Sequence, residues 1–255
     1  MNPISLARYG RNAARAAACV ATVVVAGCGS VDDPMSGYRE SPEVTLVSVD
    51  IGVEISDTVV ATAVVGSVVA RTDPLSTAPL VAELDNPIAT GGPLVFQVVA
   101  DEGDWLRVLL PVRPNGSAGW IRSADVSLSR NLYRVDIDTT AKSLVVSREG
   151  NPVIETQVAI GTGETPTPIG SFYLTELLRP PDPNGPYGTY AFGLSGFSET
   201  LTEFNGGTGV VGIHGTNDPS SIGSEVSHGC IRVNNDVMDE LASILPLGTP
   251  VTIRI

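Results

Sequence analysis

Short runs of valine, isoleucine and leucine, separated by turn-forming residues, dominate the chain between residues 43 and 129. Asp-Pro, Asn-Pro, Gly-Gly-Pro and Asn-Gly steps interrupt these runs, and no helical spacing of apolar residues is sustained for three turns. The pattern predicts an all-β region. Its first part, residues 43–65, fits either an extra strand or a longer tether.

A second set of alternating apolar and polar positions begins near Asn131. Val135 and Ile137 alternate with charged side chains, and further valine-rich runs follow. Such alternation predicts half-buried strands. Residues 179–196 hold so many prolines and glycines that they predict a long mobile loop without regular structure.

One helix is predicted within this β pattern, at residues 235–245. Its apolar residues share one face, Asn235 or Asp236 can cap its first turn, and Pro246 ends it. Residues 251–255 then form a closing strand. The predicted fold class is therefore mainly β with one short helix.

Composition narrows the classes of protein that need to be considered. A length of 255 residues predicts two compact units, and 42% hydrophobic against 17% charged residues excludes a wholly disordered chain. A formal net charge of -13 with a single lysine gives no electrostatic support for binding nucleic acid or an anionic membrane surface. We expect no nucleic-acid partner.

The first 28 residues have the order of features found in export signals. Arg8, Arg11 and Arg15 precede an apolar run that is too short to span a bilayer. The run ends in Val-Ala-Gly-Cys at Cys28, which resembles a bacterial lipoprotein box. That resemblance implies cleavage before Cys28, its acylation, and a protein anchored to the cell membrane and facing the cell wall. The alternative is an ordinary signal peptide with an incidental cysteine.

The chain's only two tryptophans stand near the end of the first β region. Residues 103–126 resemble the end of a bacterial SH3-like domain, in which a Trp-Leu-x-Val strand pairs through a turn with a Gly-Trp-Ile strand. The resemblance implies a small SH3-like β-barrel. Trp105 and Trp120 would either shape a groove for a cell-wall peptide or fill the barrel core.

Residues 212–233 contain both histidines of the chain and its only cysteine outside the first 28 residues. The other two cysteines fall in the export signal and at its acylation position, so Cys230 has no intramolecular disulfide partner. A thiol becomes a nucleophile when a nearby imidazole takes its proton. His214 and His228 are the candidate bases.

His214 is the better candidate because it ends a predicted strand and can reach Cys230 from a neighbouring strand. His228 is only two residues from the cysteine, so its ring would often point elsewhere. The carbonyl of Gly215 can accept a hydrogen bond from the second ring nitrogen of His214 and fix its tautomer. Gly229 lets the backbone turn so that consecutive amides point at one developing oxyanion.

These residue types together predict an acyl-transfer site. A zinc site made by the two histidines and the cysteine lacks the usual Cys-x-x-Cys or His-x-x-x-His spacing. A purely structural cluster is the other alternative, since buried free cysteines are common. We expect no metal and no cofactor.

The whole segment closely resembles the catalytic motif of the YkuD-like L,D-transpeptidases. It begins with His-Gly-Thr-Asn-x-Pro at His214 and ends with Ser-His-Gly-Cys-Ile-Arg at residues 227–232, and the similarity extends over residues 131–255. The resemblance implies a β-sandwich catalytic domain whose cysteine is acylated by a tetrapeptide stem of peptidoglycan. D-Alanine is released, and an amine of a second stem peptide or of a protein resolves the thioester.

The same resemblance assigns roles to individual residues. Cys230 is the nucleophile, His214 the general base, and Gly215 supplies the carbonyl that orients the base. The amides of His228, Gly229 and Cys230 form the oxyanion hole. Carbapenem-type β-lactams are expected to acylate the same sulfur.

Three further residues are candidates for binding the substrate. Arg232 either contacts a substrate carboxylate or holds the motif loop by hydrogen bonds. Ser227 either hydrogen-bonds the substrate or caps its own turn. Tyr190 is chosen over Tyr187 and Phe192 in the Pro/Gly-rich loop that would cover the donor site, although an aromatic residue there can equally anchor the loop to the core.

The predicted organisation is a lipoprotein signal peptide at residues 1–27, a flexible tether at 28–42, an SH3-like β domain at 43–129 and a catalytic domain at 130–255. The favoured function is a lipid-anchored transpeptidase that crosslinks peptidoglycan. The alternatives are an L,D-carboxypeptidase, which uses water as the acceptor, and a non-catalytic wall-binding lipoprotein.

Overall fold

The computed structural model describes residues 57–203 and 207–255. The predicted signal peptide, Cys28, the tether and the start of the predicted SH3-like region lie outside the described residues. All described residues belong to one compact unit. It is built from a seven-stranded sheet, an eight-stranded sheet, a two-stranded sheet and one α-helix.

The seven-stranded sheet comprises the N-terminal part of the described chain. Its strands are β1 (Thr58–Ala63), β2 (Ser67–Arg71), β3 (Leu80–Asp85), β4 (Val95–Asp101), β5 (Trp105–Leu109), β6 (Ala118–Arg122) and β7 (Val126–Asn131). They are antiparallel in the order β3-β2-β6-β5-β4-β1-β7. Leu106 of β5 lies opposite Ile121 of β6, which confirms the predicted pairing of the two tryptophan-containing strands.

The segment that could have been either strand or tether contains β1, which pairs with both β4 and β7. The core of this sheet is made of aliphatic residues and Phe96. Trp105 is buried, with the guanidinium of Arg122 stacked 4.3 Å from the centroid of its ring, and Trp120 is half-buried. A short 3₁₀ turn at Ser123–Asp125 leads into β7.

The remaining elements follow in chain order: β8 (Tyr133–Asp138), β9 (Ser143–Arg148), β10 (Asn151–Gln157), β11 (Ile160–Gly161), β12 (Gly170–Leu178), β13 (Ala191–Phe197), β14 (Val210–His214), a 3₁₀ turn (Pro219–Ser221), β15 (Glu225–Ser227), β16 (Ile231–Arg232), α1 (Asn235–Ile244) and β17 (Pro250–Arg254). The eight-stranded sheet has the order β10-β9-β8-β17-β12-β13-β14-β16, and β11 pairs with β15. The alternating residues Val135 and Ile137 of β8 are fully buried, as their pattern predicts. The mainly β fold with one helix is therefore confirmed.

The predicted helix is α1, which packs Met238 and Leu241 into the main core. The capping prediction is wrong. Asn234 is the N-cap residue and its side chain makes no capping hydrogen bond, while Asn235 is already helical. The side chain of Asn235 is instead used in a contact with the loop that follows β14, described below.

The predicted mobile loop at residues 179–196 is wrong from residue 191 onward. Ala191–Phe197 forms β13, which is buried between β12 and β14. A glycine within a strand often marks a close approach by a neighbour. A Cβ atom on Gly196 would lie 2.5 Å from the ring of Phe172, so glycine is needed there by packing and does not indicate a loop.

The two large sheets contact each other around Tyr173 of β12. Its side chain is fully buried with Val60 and Val95 of the seven-stranded sheet. Its hydroxyl donates a hydrogen bond to the carbonyl of Leu109, at 3.2 Å.

The described residues, 57–203 and 207–255, include no helix with the length and hydropathy of a membrane span.

Candidate active site

The candidate nucleophile and base are carried by two adjacent parallel strands. β14 ends at His214 and pairs with β16, with Ile213 opposite Ile231 and His214 opposite Arg232. Cys230 directly precedes β16. His214 therefore lies on the strand next to the one that follows Cys230, as the sequence predicted, while its role as the base stays a prediction.

A cavity of about 210 Å³ is lined by most of the predicted site residues, but not by Gly215, Gly229 or Tyr190. His214 and Cys230 both line it, which places the imidazole and the thiol at one site open to a ligand. The loops before β13 and between β13 and β14 supply the rest of its wall. The lining residues are Pro186, Tyr187, Ser198, Leu201, Gly209, Val210, Val211, His214, Ser227, His228, Cys230 and Arg232.

The imidazole of His214 is buried and held in one orientation. Its Nδ1 lies 2.6 Å from the carbonyl oxygen of Gly215. Since a carbonyl only accepts hydrogen bonds, this contact assigns the proton to Nδ1 and leaves a lone pair on Nε2. The ring of Tyr187 packs on the imidazole, with centroids 4.9 Å apart and planes tilted by 59°. The predicted Gly215 contact is thus present in the structure.

Burial also decides the charge of His214. It is 5% exposed, and loss of hydration lowers the pKa of the imidazole to about 4. The hydrogen bond with Gly215 opposes this decrease, and the positive charge of Arg232 adds to it. His214 is therefore neutral at neutral pH, as a general base must be.

Burial has the opposite effect on the acidity of Cys230. It raises the pKa of the thiol, while a hydrogen bond with the backbone of Gly212 and the charge of Arg232 lower it. The net direction is upward. The cavity therefore holds a neutral thiol and a neutral imidazole at rest, in place of the thiolate expected from the sequence.

Comparison with known proteins assigns the family. The profile of the YkuD L,D-transpeptidase catalytic domain matches residues 132–253. The YkuD protein of Bacillus licheniformis is 32% identical over 169 residues, which cover 64% of this chain and 94% of that protein. The chain belongs to the YkuD family of L,D-transpeptidases.

Other relatives match over shorter lengths. The YkuD protein of Bacillus subtilis is 40% identical over 122 residues, 48% of this chain and 66% of that protein, so the chain spans just under two thirds of this relative. A solved L,D-transpeptidase from Enterococcus faecium is 24% identical, covers 49% of this chain and 50% of its own chain, and has a TM-score of 0.39.

The turn before the cysteine of this YkuD-family chain requires glycine. Gly229 is buried with a φ of 113°, a backbone region that other residues rarely adopt. Its amide donates to Oγ of Ser227 at 3.1 Å, and that hydroxyl donates to the carbonyl of Cys230 at 2.6 Å. Ser227 thus caps its own turn, which favours this interpretation over substrate binding. In this geometry the Gly229 amide is engaged by Ser227, which disagrees with its predicted place in the oxyanion hole.

The backbone and the side chain of Arg232 have different surroundings. Its backbone exchanges hydrogen bonds with Ala159, at 2.8 and 2.9 Å, and so ties the motif strand to the neighbouring loop. Its Nε is buried and has no hydrogen-bond partner among the described residues, although the side chain lines the cavity. A buried guanidinium N–H without a partner costs free energy unless a ligand accepts from it.

The choice of Tyr190 for substrate binding is not supported. Tyr190 packs against the main core, its hydroxyl accepts a hydrogen bond from Arg179, and it does not line the cavity. Tyr187 lines the cavity and contacts the ring of His214. Phe192 is fully buried in β13. The aromatic residue of this loop that faces the YkuD-type site is therefore Tyr187.

Two residues near the site were not predicted. Oδ1 of Asn235 accepts a hydrogen bond from the amide of Thr216 at 2.9 Å, which fixes the loop after His214 on the first turn of α1. Gly212, on β14, provides the backbone hydrogen bond to Cys230. An asparagine at the start of a helix predicts a capping residue, so its position in the sequence did not indicate a contact with the loop after His214.

Among the described residues, no three His, Cys, Asp or Glu side chains are grouped to hold a metal ion.

Proposed function

We propose that this protein is a cysteine-dependent L,D-transpeptidase that acts on the tetrapeptide stems of peptidoglycan. The observation that carries the proposal is the shared cavity of His214 and Cys230, with Nδ1 of the imidazole held by Gly215. Family membership supports the reaction class, and the geometry of the site supports the proposed residue roles.

Acylation begins from two uncharged groups. Nε2 of His214 accepts the thiol proton as Sγ of Cys230 attacks the carbonyl carbon of the third stem residue. A carbon–sulfur bond forms and the tetrahedral oxyanion collapses. The carbon–nitrogen bond to D-alanine then breaks, and the leaving amine takes the proton from His214. Keeping His214 neutral until attack begins favours this concerted transfer over a preformed ion pair.

An amine of a second stem peptide, or of a protein, then attacks the thioester. His214 accepts its proton, and the carbon–sulfur bond breaks to regenerate the thiol. Arg232 supports binding of the donor stem because its buried Nε needs an acceptor, which a substrate carboxylate or carbonyl provides. With the Gly229 amide engaged by Ser227, we propose the amides of His228 and Cys230 as the motif donors to the oxyanion.

The protein is further proposed to be a lipoprotein, acylated on Cys28 and anchored with its catalytic part facing the cell wall. The order of basic, apolar and small residues before Cys28 supports this location. We also propose that carbapenem-type β-lactams acylate Cys230, because the same nucleophile would open a strained lactam carbonyl.

Mass spectrometry of muropeptides tests the function. The protein is incubated with tetrapeptide muropeptides, beside Cys230→Ala and His214→Ala variants that keep the wild-type thermal unfolding profile. We expect crosslinked dimers with the wild type, no adduct with Cys230→Ala, and acylation slowed by about 100- to 10,000-fold with His214→Ala.

The products also separate the alternatives. Tripeptide monomers without dimers would assign the L,D-carboxypeptidase activity, in which water resolves the thioester. Unchanged muropeptides with no adduct on Cys230 would contradict an enzymatic role and support a wall-binding lipoprotein.

A further inference from the structure

Part of the cavity wall is formed by the connection between β13 and β14. We define the wall loop as the described residues of this connection, 198–203 and 207–209. Ser198, Leu201 and Gly209 of the wall loop line the cavity together with Cys230. The position of this loop therefore affects how much room a ligand has at the nucleophile.

The wall loop is held by a residue of the seven-stranded sheet. Arg113 lies in the connection between β5 and β6, 85 to 95 positions before the wall-loop residues that it contacts. Its Nη1 donates to the carbonyl of Ser198 at 2.8 Å. Its Nη2 donates to the carbonyls of Leu201 and Thr208, at 3.1 and 3.2 Å. One guanidinium thus joins both described parts of the wall loop through three main-chain carbonyls.

Asn115, two residues further along, holds the end of β13 just before the wall loop. Its Nδ2 donates to the carbonyl of Phe197, and its Oδ1 accepts from the amide of Phe197, both at 2.8 Å. This side chain thereby supplies the same pair of hydrogen bonds that a neighbouring strand would make. The guanidinium of Arg113 also stacks 4.8 Å from the centroid of the Phe197 ring.

The wall loop is shaped to receive this arginine. Gly209 has a φ of 72°, and a Cβ atom there would lie 2.3 Å from the carbonyl oxygen of Leu201 and 3.1 Å from Nη2 of Arg113. The amide of Ser198 donates to the carbonyl of Gly209 at 2.8 Å, which closes the base of the loop. Any side chain at position 209 would therefore push the arginine and the loop apart.

The sheet that carries Arg113 and Asn115 is itself fixed to the catalytic sheet. Besides the contact of Tyr173 with Leu109, Nδ2 of Asn131 donates to Oγ1 of Thr249 at 2.8 Å in a buried position. We call Arg113 and Asn115 together the clamp. The sheet that carries the clamp is packed against the catalytic sheet, so the clamp has a fixed position relative to the wall loop.

We propose that Arg113 and Asn115 are positioning residues of the active site, through which the N-terminal sheet sets the width of the cavity that contains Cys230. The N-terminal half then takes part in substrate selection and is more than a spacer. The expected change in KM for tetrapeptide donors rests on the proposed transpeptidase function. The expected change in access of thiol reagents to Cys230 does not, because it depends only on the width of the cavity.

Access to Cys230 is measured by alkylation of the full-length protein with two thiol reagents, small iodoacetamide and a bulky fluorescein maleimide. The rate at Cys230 is followed on its own peptide by mass spectrometry, since the chain has two other cysteines. The variants are Arg113→Met and Asn115→Leu. Arg122→Met is the matched control, because Arg122 belongs to the seven-stranded sheet and also stacks on an aromatic ring, but that ring is Trp105 of its own sheet and not a residue next to the wall loop.

We expect the ratio of the maleimide rate to the iodoacetamide rate to rise about threefold or more in both clamp variants and to stay at the wild-type value in Arg122→Met. With tetrapeptide donors, KM should rise about tenfold, because a displaced wall loop weakens binding of the donor, while kcat stays within about twofold.

The proposal is overturned if the ratio of the two alkylation rates is unchanged in the folded fraction of both clamp variants. This holds even if their thermal unfolding temperature falls, because residues that only stabilise the fold would give the same result. An equal change in Arg122→Met overturns it as well. If the wild type turns over no tetrapeptide, the proposed function fails, while the alkylation ratio still decides whether the clamp sets access to the cavity.

Discussion

Nδ1 of His214 and the carbonyl oxygen of Gly215 lie 2.6 Å apart, so the base is oriented by the residue that follows it in the chain. A carboxylate in this place would stabilise the imidazolium and raise its pKa. A neutral carbonyl does so much less, and burial prevails in lowering the pKa of His214 to about 4. The proposed reaction would consequently begin without charge on either His214 or Cys230.

The pH dependence of acylation follows from this charge state. Acylation of Cys230 by a carbapenem, measured by intact-protein mass, should lose half of its plateau rate near pH 4, because only neutral His214 accepts the thiol proton. Replacing Arg232 by Met removes a charge that lowers the pKa of His214, so the midpoint should move to higher pH.

Arg134→Met serves as the control for this shift, since Arg134 pairs with Asp136 on β8, and its midpoint should equal that of the wild type. A wild-type midpoint near the ordinary histidine value of about 6.5 would contradict a buried neutral base.

The free energy of unfolding should also depend on pH because the pKa of His214 is lowered in the folded protein. In the unfolded chain the imidazole takes up its proton near pH 6.5, whereas in the folded protein it does so near pH 4. Between these values the unfolded state binds more protons, so stability falls as pH falls. We expect His214 to account for a loss of about 3 kcal/mol between pH 7 and pH 4.

Urea unfolding of the wild type and of His214→Gln at both pH values isolates this contribution, because the carboxylates are common to both proteins. The difference in unfolding free energy between the two proteins should shift by about 3 kcal/mol. An equal difference at the two pH values would show that the imidazole titrates alike in both states.

The local geometry of the site could be predicted from the sequence where it depends on neighbours in the chain. His214 and Gly215 are adjacent, and the motif from Ser227 to Cys230 forms a local turn. The strand ending at His214 and the helix after Arg232 have clear apolar patterns. Residue type, spacing and period were sufficient for these elements.

The remaining features depend on contacts between distant segments. β13 was mistaken for a loop because the reason for Gly196 is the ring of Phe172, 24 positions earlier. The raised pKa of Cys230 reflects burial, which no local pattern encodes. The clamp by Arg113 joins two segments about 90 residues apart, and an exposed arginine in a turn gives no sign of its acceptors.

Gly229 should be intolerant of any side chain. Its φ of 113° is strained for alanine, and an added Cβ would lie 3.4 Å from the carbonyl oxygen of Pro166. We expect Gly229→Ala to lower stability by about 1–3 kcal/mol. Its acylation should slow on the order of 100-fold, because the turn that presents the amide of Cys230 is displaced. Carbapenem acylation and thermal unfolding measure the two effects, and wild-type acylation would show that the left-handed backbone is not required.

Anchoring should depend on Cys28 and leave the chemistry unchanged. Cys28→Ala should move the protein from the membrane fraction to the soluble fraction, because acylation at this position supplies the proposed anchor. Its carbapenem acylation at Cys230 should remain at the wild-type rate. Cys19→Ala is the matched control and should stay with the membranes. If Cys28→Ala also stays there, the anchor is not attached at Cys28.

The hydrogen bond between Asn235 and Thr216 should contribute more to the free energy of unfolding than an ordinary surface hydrogen bond does. Thr216 is 2% exposed, and its amide would lose its acceptor in Asn235→Ala. An unsatisfied buried donor costs about 1–3 kcal/mol. Because the loop after His214 would then loosen, acylation should also slow. Asn235→Asp keeps an acceptor oxygen and should retain most of both properties.

Asn234→Ala is the matched control, since Asn234 is the exposed N-cap residue and its side chain makes no capping hydrogen bond. We expect its unfolding free energy to stay within about 0.5 kcal/mol of the wild type. Urea unfolding of the three variants decides the point. An equal loss of unfolding free energy in Asn234→Ala and Asn235→Ala would contradict the prediction. It would mean that any change at the start of α1 lowers stability and that the loop after His214 does not depend on Asn235.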